Sequence, residues 1–172
     1  MLTTILSFTV LSIILLFTLR RLLFTSTLLA PSPLFPQVPL VPVLLLIPAR
    51  NESSTIPNLF ISLDSLDYPK DLLQIILLND GSTDNTLAVM TQAALSRNNW
   101  HVLNLEKNVG KAQALNLALQ DYDFGEIVYI FDADHRPQKK CLCVAVSAFN
   151  DPKVAGVSGR TIPSNALASP SA

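Results

Sequence analysis

Asp132 and Asp134 stand two residues apart at the end of an apolar run, Glu126 to Phe131, that reads as a strand. Side chains two apart on a strand face the same way, with roughly 7 Å between them. Two carboxylates so placed repel each other unless a cation intervenes. Carboxylate and diphosphate oxygens both suit Mg²⁺ or Mn²⁺. Such an ion would neutralise a leaving diphosphate as a sugar is transferred, acting as Lewis acid and template. The competing reading is a solvated acidic turn. His135, beside the pair, reads as a hydrogen-bonded turn residue rather than a ligand.

Three further polar clusters come after apolar runs. Pro48-Ala-Arg-Asn-Glu52 could be an ordinary turn; as a site, its backbone from Ala49 and the Glu52 side chain would hold a base and ribose, with Arg50 near phosphates. In Asn79-Asp-Gly-Ser-Thr-Asp-Asn-Thr86, Gly81 permits a tight turn and Thr83 or Asp84 can cap the next helix. Capping leaves Asp80 unexplained, because a carboxylate at the tip of an apolar strand can accept from a base or ribose hydroxyl. Asn108-Val-Gly-Lys-Ala112 leads into a helix, whose N-terminus with Gly110 and Lys111 suits a phosphate or sugar. It is not a Walker loop, which needs Gly where Leu105 stands and Ser or Thr where Ala112 stands. No G-x-G-x-x-G follows any strand, so a dinucleotide fold loses support.

The elements between these clusters must position them. Val43 to Ile47 is a short continuous apolar run, as in a strand buried on both faces, and Leu73-Gln-Ile-Ile-Leu-Leu78 reads as a second buried strand. Trp100 to Leu105 and Glu126 to Phe131 add two more strands, and Val154 to Gly159 is expected as a fifth. Helical patterns alternate with them. One carries Leu59, Phe60, Leu63 and Leu66 on one face, with Ser54 and Thr55 as N-caps and Pro57 in its first turn. The next runs to about Ser96 with Leu87, Met90 and Ala94 inward, and Lys111 to Gln120 and Lys139 to Phe149 supply two more. Strands separated by helices predict right-handed βαβ units, a mostly parallel sheet and helices on both faces. Ligands of such sheets bind at the carboxyl ends of the strands, where each of these clusters falls.

The chain has 172 residues and a formal net charge of −1, enough for one domain plus an appendage. That balance gives no electrostatic ground for nucleic-acid binding. Cys141 and Cys143 are too close along the chain for an unstrained disulfide and lack the partners of a zinc site. Leu2 to Leu19 is uncharged and just reaches the roughly 18 residues that cross a ~30 Å hydrocarbon core. Arg20 and Arg21 come directly after it. They favour a retained transmembrane anchor at 1–24 over a cleaved signal peptide and put the rest of the chain in the cytoplasm. Pro31, Pro33, Pro36, Pro39 and Pro42 predict an extended linker over 25–41. The domain is then expected over 42–165 and a tail over 166–172.

Taken together, Ile47-Pro-Ala-Arg-Asn-Glu52, Asn79-Asp-Gly-Ser-Thr-Asp84, Asn108-Val-Gly-Lys-Ala-Gln-Ala-Leu-Asn116 and Phe131-Asp-Ala-Asp134 resemble glycosyltransferase family 2, of the GT-A fold. Their order and spacing match from about Val41 to Arg160. The resemblance implies that Glu52 and Asp80 help bind a uridine nucleotide, that Asp132 and Asp134 are the D-x-D pair for metal and diphosphate, and that Lys111 lies by the nucleotide-sugar. It further implies a UDP-sugar donor, a glycan or lipid-linked acceptor, and a membrane setting. Asp134-His-Arg-Pro137 and Gly159-Arg160 are similar to the membrane polysaccharide synthases that make cellulose, hyaluronan and poly-N-acetylglucosamine.

Family members continue with an acceptor-binding half, an acidic general base and a Q-x-x-R-W segment. None is found here, and Asp151 is the last acidic residue. The expectation is therefore an inverting, metal-dependent transferase whose catalytic base lies outside this chain, with a non-catalytic, membrane-tethered nucleotide-binding fragment as the alternative. A nucleotidyltransferase would need a Gly-rich loop where Ala49-Arg50-Asn51 stands.

Overall fold

The computed structural model describes residues 2–29 and 40–159, with side chains over 9–23 and 40–159. The chain divides into two compact units, Met1–Leu34 and Phe35–Ala172. Most of the proline-rich linker, the tail 166–172 and Arg160 lie outside the described residues.

The first unit is a helix, α1 (Leu2–Leu29). Among the described residues no helix is long and apolar enough to cross a membrane, so the single-pass anchor expected here is not supported.

The second unit is the expected α/β sheet. Four strands, β1 (Val43–Ala49), β2 (Leu73–Asp80), β3 (Trp100–Leu105) and β4 (Ile127–Ile130), pair in the order β3-β2-β1-β4. Every pairing is parallel, with Leu45 of β1 between Ile75 and Tyr129. Both faces of β1 are apolar because both are covered. On one side Val43, Leu45, Ile47 and Ala49 pack with helices α2 (Ile56–Asp64), α3 (Thr86–Leu95) and α5 (Cys141–Ala148), through Leu59, Met90 and Leu142. On the other, Leu44, Leu46, Ile76 and Leu78 pack with Ala118 of α4 (Lys111–Asp121). Gly125 sits at φ +92 where the chain enters β4, and a Cβ there would lie 2.8 Å from the Leu44 nitrogen.

Three local expectations change. Val154 to Gly159 is not a strand: the Val154 N–H is taken by the Asp151 carbonyl at 2.9 Å, and residues 155–159 are exposed. Neither Ser54 nor Thr55 caps α2 with its side chain; the Glu52 carbonyl instead accepts from the N–H groups of Thr55 and Ile56. At α3 the N-cap position is Asn85, and Asp84 reaches past it to accept from the Thr86 N–H at 3.0 Å. The cysteines are free, as expected; the Cys143 thiol donates to the Asp67 carbonyl, and burial pushes Cys141 up to about 11.

Since β2 and β3 lie on one side of β1 and β4 on the other, the connections reverse direction between β1 and β4. Sheets of this kind bind ligands at such a switch, beyond the carboxyl ends of the strands, and the four polar loops follow those ends.

Candidate functional site

The loop after β1 is tied to the loop after β2 by three successive backbone N–H groups. Asn51 donates to Ser82 Oγ at 3.1 Å, Glu52 to Thr86 Oγ1 at 2.8 Å, and Ser53 to Asp84 Oδ2 at 3.2 Å. The reverse bond runs from the Thr83 N–H to Asn51 Oδ1 at 2.8 Å. Asn51 has φ 57, the left-handed conformation that Asn tolerates better than most side chains, and this sharp turn aims the amides. Thr86 is fully buried and donates its hydroxyl to Asp84 Oδ1. That hydrogen bond, and after it those from Ser53, hold the Asp84 carboxyl well below the usual carboxylate range.

This arrangement narrows what the β1 loop offers a ligand. The N–H groups of residues 51–53 are consumed within the protein, which leaves Ala49, the exposed Arg50 and the half-buried Glu52 side chain as the groups of this loop not used by the clamp.

Asp80, the last residue of β2, is buried and has both oxygens engaged by the β3 loop. Oδ1 accepts from the Val109 N–H at 2.7 Å and Oδ2 from the Gly110 N–H at 3.0 Å. Its first task is thus to hold the backbone just before α4, and a ligand hydroxyl would share its remaining lone pairs. Beside it Asn79 Nδ2 donates to Asn104 Oδ1 at 2.7 Å. Gly81 is required by close approach: at φ +62, a Cβ would lie 2.3 Å from the Asn108 nitrogen. The β2 and β3 loops therefore touch backbone to backbone. Gly110, at φ +88, starts α4 and presents Lys111 at its first turn.

Lys111 Nζ forms an ion pair with Asp132 Oδ1, joining the β3 loop to the β4 loop across the switch. The D-x-D pair is not in a strand, because β4 ends at Ile130. It lies in a turn closed by the His135 N–H donating to the Asp132 carbonyl at 3.0 Å. The same turn directs the Asp132 N–H to His135 Nδ1 at 3.2 Å and leaves His135 Nε2 4.0 Å from Asp132 Oδ2. Asp132, Asp134 and His135 each present a ligand atom, all within 4.8 Å of one another. At ~2.1 Å from a Mg²⁺-sized ion cis ligands are about 3.0 Å apart and only one pair can be trans, at about 4.2 Å, so the side chains would have to draw together to hold one ion. Two carboxylates suit Mg²⁺ or Mn²⁺, and an imidazole shifts the preference toward Mn²⁺.

Every candidate from the sequence thus lies on one of the four loops or on the strand or helix residue that borders it. Asn51, Asp84 and Thr86 form a loop-to-loop clamp that residue types do not disclose, since each has an ordinary explanation in a turn or a cap. His135 stands closer to a ligand position than the sequence suggests, because closure of the turn is not visible in residue types.

The sequence profile described as "Glycosyl transferase family 2" matches residues 45–167. The chain is 37% identical over 89 residues to a poly-beta-1,6-N-acetyl-D-glucosamine synthase of Staphylococcus epidermidis, covering 52% of this chain and 21% of that one. Among solved structures it is similar to the mannosyltransferase PcManGT from Pyrobaculum calidifontis in complex with GDP-Man and Mn²⁺, at 32% identity and TM-score 0.62, over 73% of this chain and 36% of that one. It is also similar to S. aureus TarS 1-349 in complex with UDP-GlcNAc, at 31% identity and TM-score 0.57, over 71% and 37%. The chain spans less than a third of the length of the curated relatives it matches.

Proposed function

The chain belongs to glycosyltransferase family 2, and on that premise we propose that it is the donor-binding half of an inverting, metal-dependent transferase using a UDP-sugar. The observation that carries this is the convergence, at the sheet's switch point, of Glu52, the Asp80-braced β3 loop with Lys111, and the Asp132-Asp134 turn. Glu52 with Ala49 and Arg50 flanks the place for the uridine, and Asp80 sets the floor between them. Asp132 and Asp134, with His135, would hold Mg²⁺ or Mn²⁺. The ion supplies Lewis acidity to the diphosphate as it leaves. Lys111, paired with Asp132, is the cation that can turn to a phosphate oxygen and add a second positive charge there.

The relatives' names support a glycan or lipid acceptor, since they include a poly-beta-1,6-N-acetyl-D-glucosamine synthase and a beta-monoglucosyldiacylglycerol synthase. Val10, Leu11, Ile13, Ile14 and Phe17 of α1 are exposed, which supports contact of the N-terminal unit with a membrane surface. Flotation of the chain with liposomes, lost when α1 is deleted, is the expected result.

Calorimetric titration of the chain with UDP, with and without Mn²⁺, tests the donor site. Metal-dependent binding that Asp132→Ala with Asp134→Ala abolishes is expected. A folded chain that binds no UDP at millimolar concentration sinks the proposal.

A further inference from the structure

The three consecutive N–H groups of residues 51–53 converge on the β2 loop, and two of them depend on a single carboxylate. Asp84 Oδ2 accepts directly from Ser53, at 3.2 Å. Asp84 Oδ1 accepts the Thr86 hydroxyl hydrogen at 2.5 Å, which fixes the rotor so that a Thr86 lone pair faces the Glu52 N–H at 2.8 Å. A hydroxyl without that acceptor could rotate its hydrogen toward Glu52 and repel the N–H instead. We propose that Asp84 and Thr86 are positioning residues for donor binding: through Glu52 and Ser53 they set the backbone from which the Glu52 side chain reaches the nucleoside. This role rests on the donor-site reading of the chain.

The relay has a directional logic. An ionised carboxylate accepts only, so it forces Thr86 to donate to it, and the hydroxyl oxygen is left to accept from Glu52. Thr86 is fully buried, so water does not substitute for either bond. Asp84 is exposed, which means its replacement perturbs no core packing. An asparagine at this position keeps one acceptor oxygen, yet its amide end cannot accept from Ser53. Half of the relay is then lost, without loss of volume.

The test measures UDP affinity with Mn²⁺ for the full chain and for Thr86→Val, Thr86→Ser and Asp84→Asn. In parallel, amide hydrogen exchange is tracked at Glu52 and Ser53. We expect Thr86→Val to weaken UDP binding about tenfold, the scale of one buried polar bond lost. Glu52 exchange should speed up in that variant, and Thr86→Ser should restore both readouts. Asp84→Asn should weaken UDP a few-fold, with faster exchange at Ser53. It also serves if Thr86→Val fails to fold. Wild-type UDP affinity in Thr86→Val, or in Asp84→Asn where the former does not fold, overturns the positioning role and leaves the donor site standing. A wild-type chain that does not bind UDP overturns both.

Discussion

The loops after β1, β2 and β3 and the loop after β4 follow the same end of the sheet but are built in different ways. The first three are fastened by buried or backbone contacts: Asp80 with both oxygens on the β3 loop, Gly81 against the Asn108 backbone, and three amides of the β1 loop on the β2 loop. The fourth is held by the buried Phe131 and Ala133, a short turn, an exposed hydrogen bond from Arg136 to the Thr55 carbonyl at 3.3 Å, and an ion pair between groups that are both about half exposed, Lys111 at 54% and Asp132 at 45%. Exposed ion pairs contribute little to stability. The difference separates two jobs. A nucleoside is recognised by shape and fixed polar groups, which favours a rigid frame, whereas a metal and diphosphate bring their own strong charges and can order a mobile turn around them. The fold therefore spends its buried polar contacts where the ligand supplies the least.

The fastened frame breaks most severely at Gly81. Gly81→Ala imposes a left-handed alanine and places its Cβ 2.3 Å from the Asn108 nitrogen. Strain and overpacking together should cost about 2–5 kcal/mol, a fall in Tm on the order of 10 °C. Thermal unfolding monitored by circular dichroism measures it. A shift under a degree would mean that the β2 and β3 loops are not locked together. On the other side, Asp132→Ala should move stability by no more than ~0.5 kcal/mol, the range of an exposed position, while removing the Mn²⁺-dependent part of UDP binding. Paired melts and titrations of these two variants contrast the halves directly.

How much of this the sequence discloses follows the same divide. The strands are legible because Val43–Ala49 has no polar interruption and Leu73–Leu78 only Gln74, a density of apolar residues that burial on both faces explains. The strand ends, and hence the positions of Glu52, Asp80 and Lys111 around the switch, follow from alternation with helices. Fastening between loops is not legible, because Asn51, Asp84 and Thr86 have satisfactory local roles and their partners lie 31 to 34 residues away in the chain. The D-x-D pair shows the opposite failure. Its two-residue spacing invites a strand argument, yet the carboxylates converge through a turn closed by His135. The fifth strand fails because hydropathy cannot reveal that Asp151 takes the Val154 N–H.

A smaller effect is expected at the ion pair. If Asp132 holds the proposed divalent cation, Lys111 competes with it, so Lys111→Met should tighten binding of Mn²⁺ alone by up to about fivefold, the upper range of an exposed pair. The same variant should bind UDP with Mn²⁺ more weakly, since it lacks a charge for the diphosphate. Electron paramagnetic titration of free Mn²⁺ reads the first and calorimetry the second. If both affinities fall together, Lys111 stabilises the β4 turn rather than competing with the metal, and the contrast between a fastened frame and a loosely held turn weakens.

The smallest effect is a pH dependence that belongs to the fastened side. The Thr86 hydroxyl, and then Ser53, hold the folded Asp84 carboxyl below its ordinary 3.8. A depressed carboxyl adds stability that is present in full above the unfolded value and is lost as pH falls through the folded one. Wild type should therefore melt above Asp84→Asn at neutral pH, because the asparagine cannot accept from Ser53. The gap should hold down to about pH 5 and narrow steadily below pH 4, as the unfolded wild type takes up a proton on this carboxyl that the folded protein does not. Melting both proteins from about pH 7 to about pH 2.5 at constant ionic strength isolates this carboxyl, since every other acid titrates in both. A gap that stays constant to the lowest pH would mean that the ionised state of Asp84 contributes nothing to the clamp. A gap that closes already near pH 6 would assign the effect to a group other than Asp84.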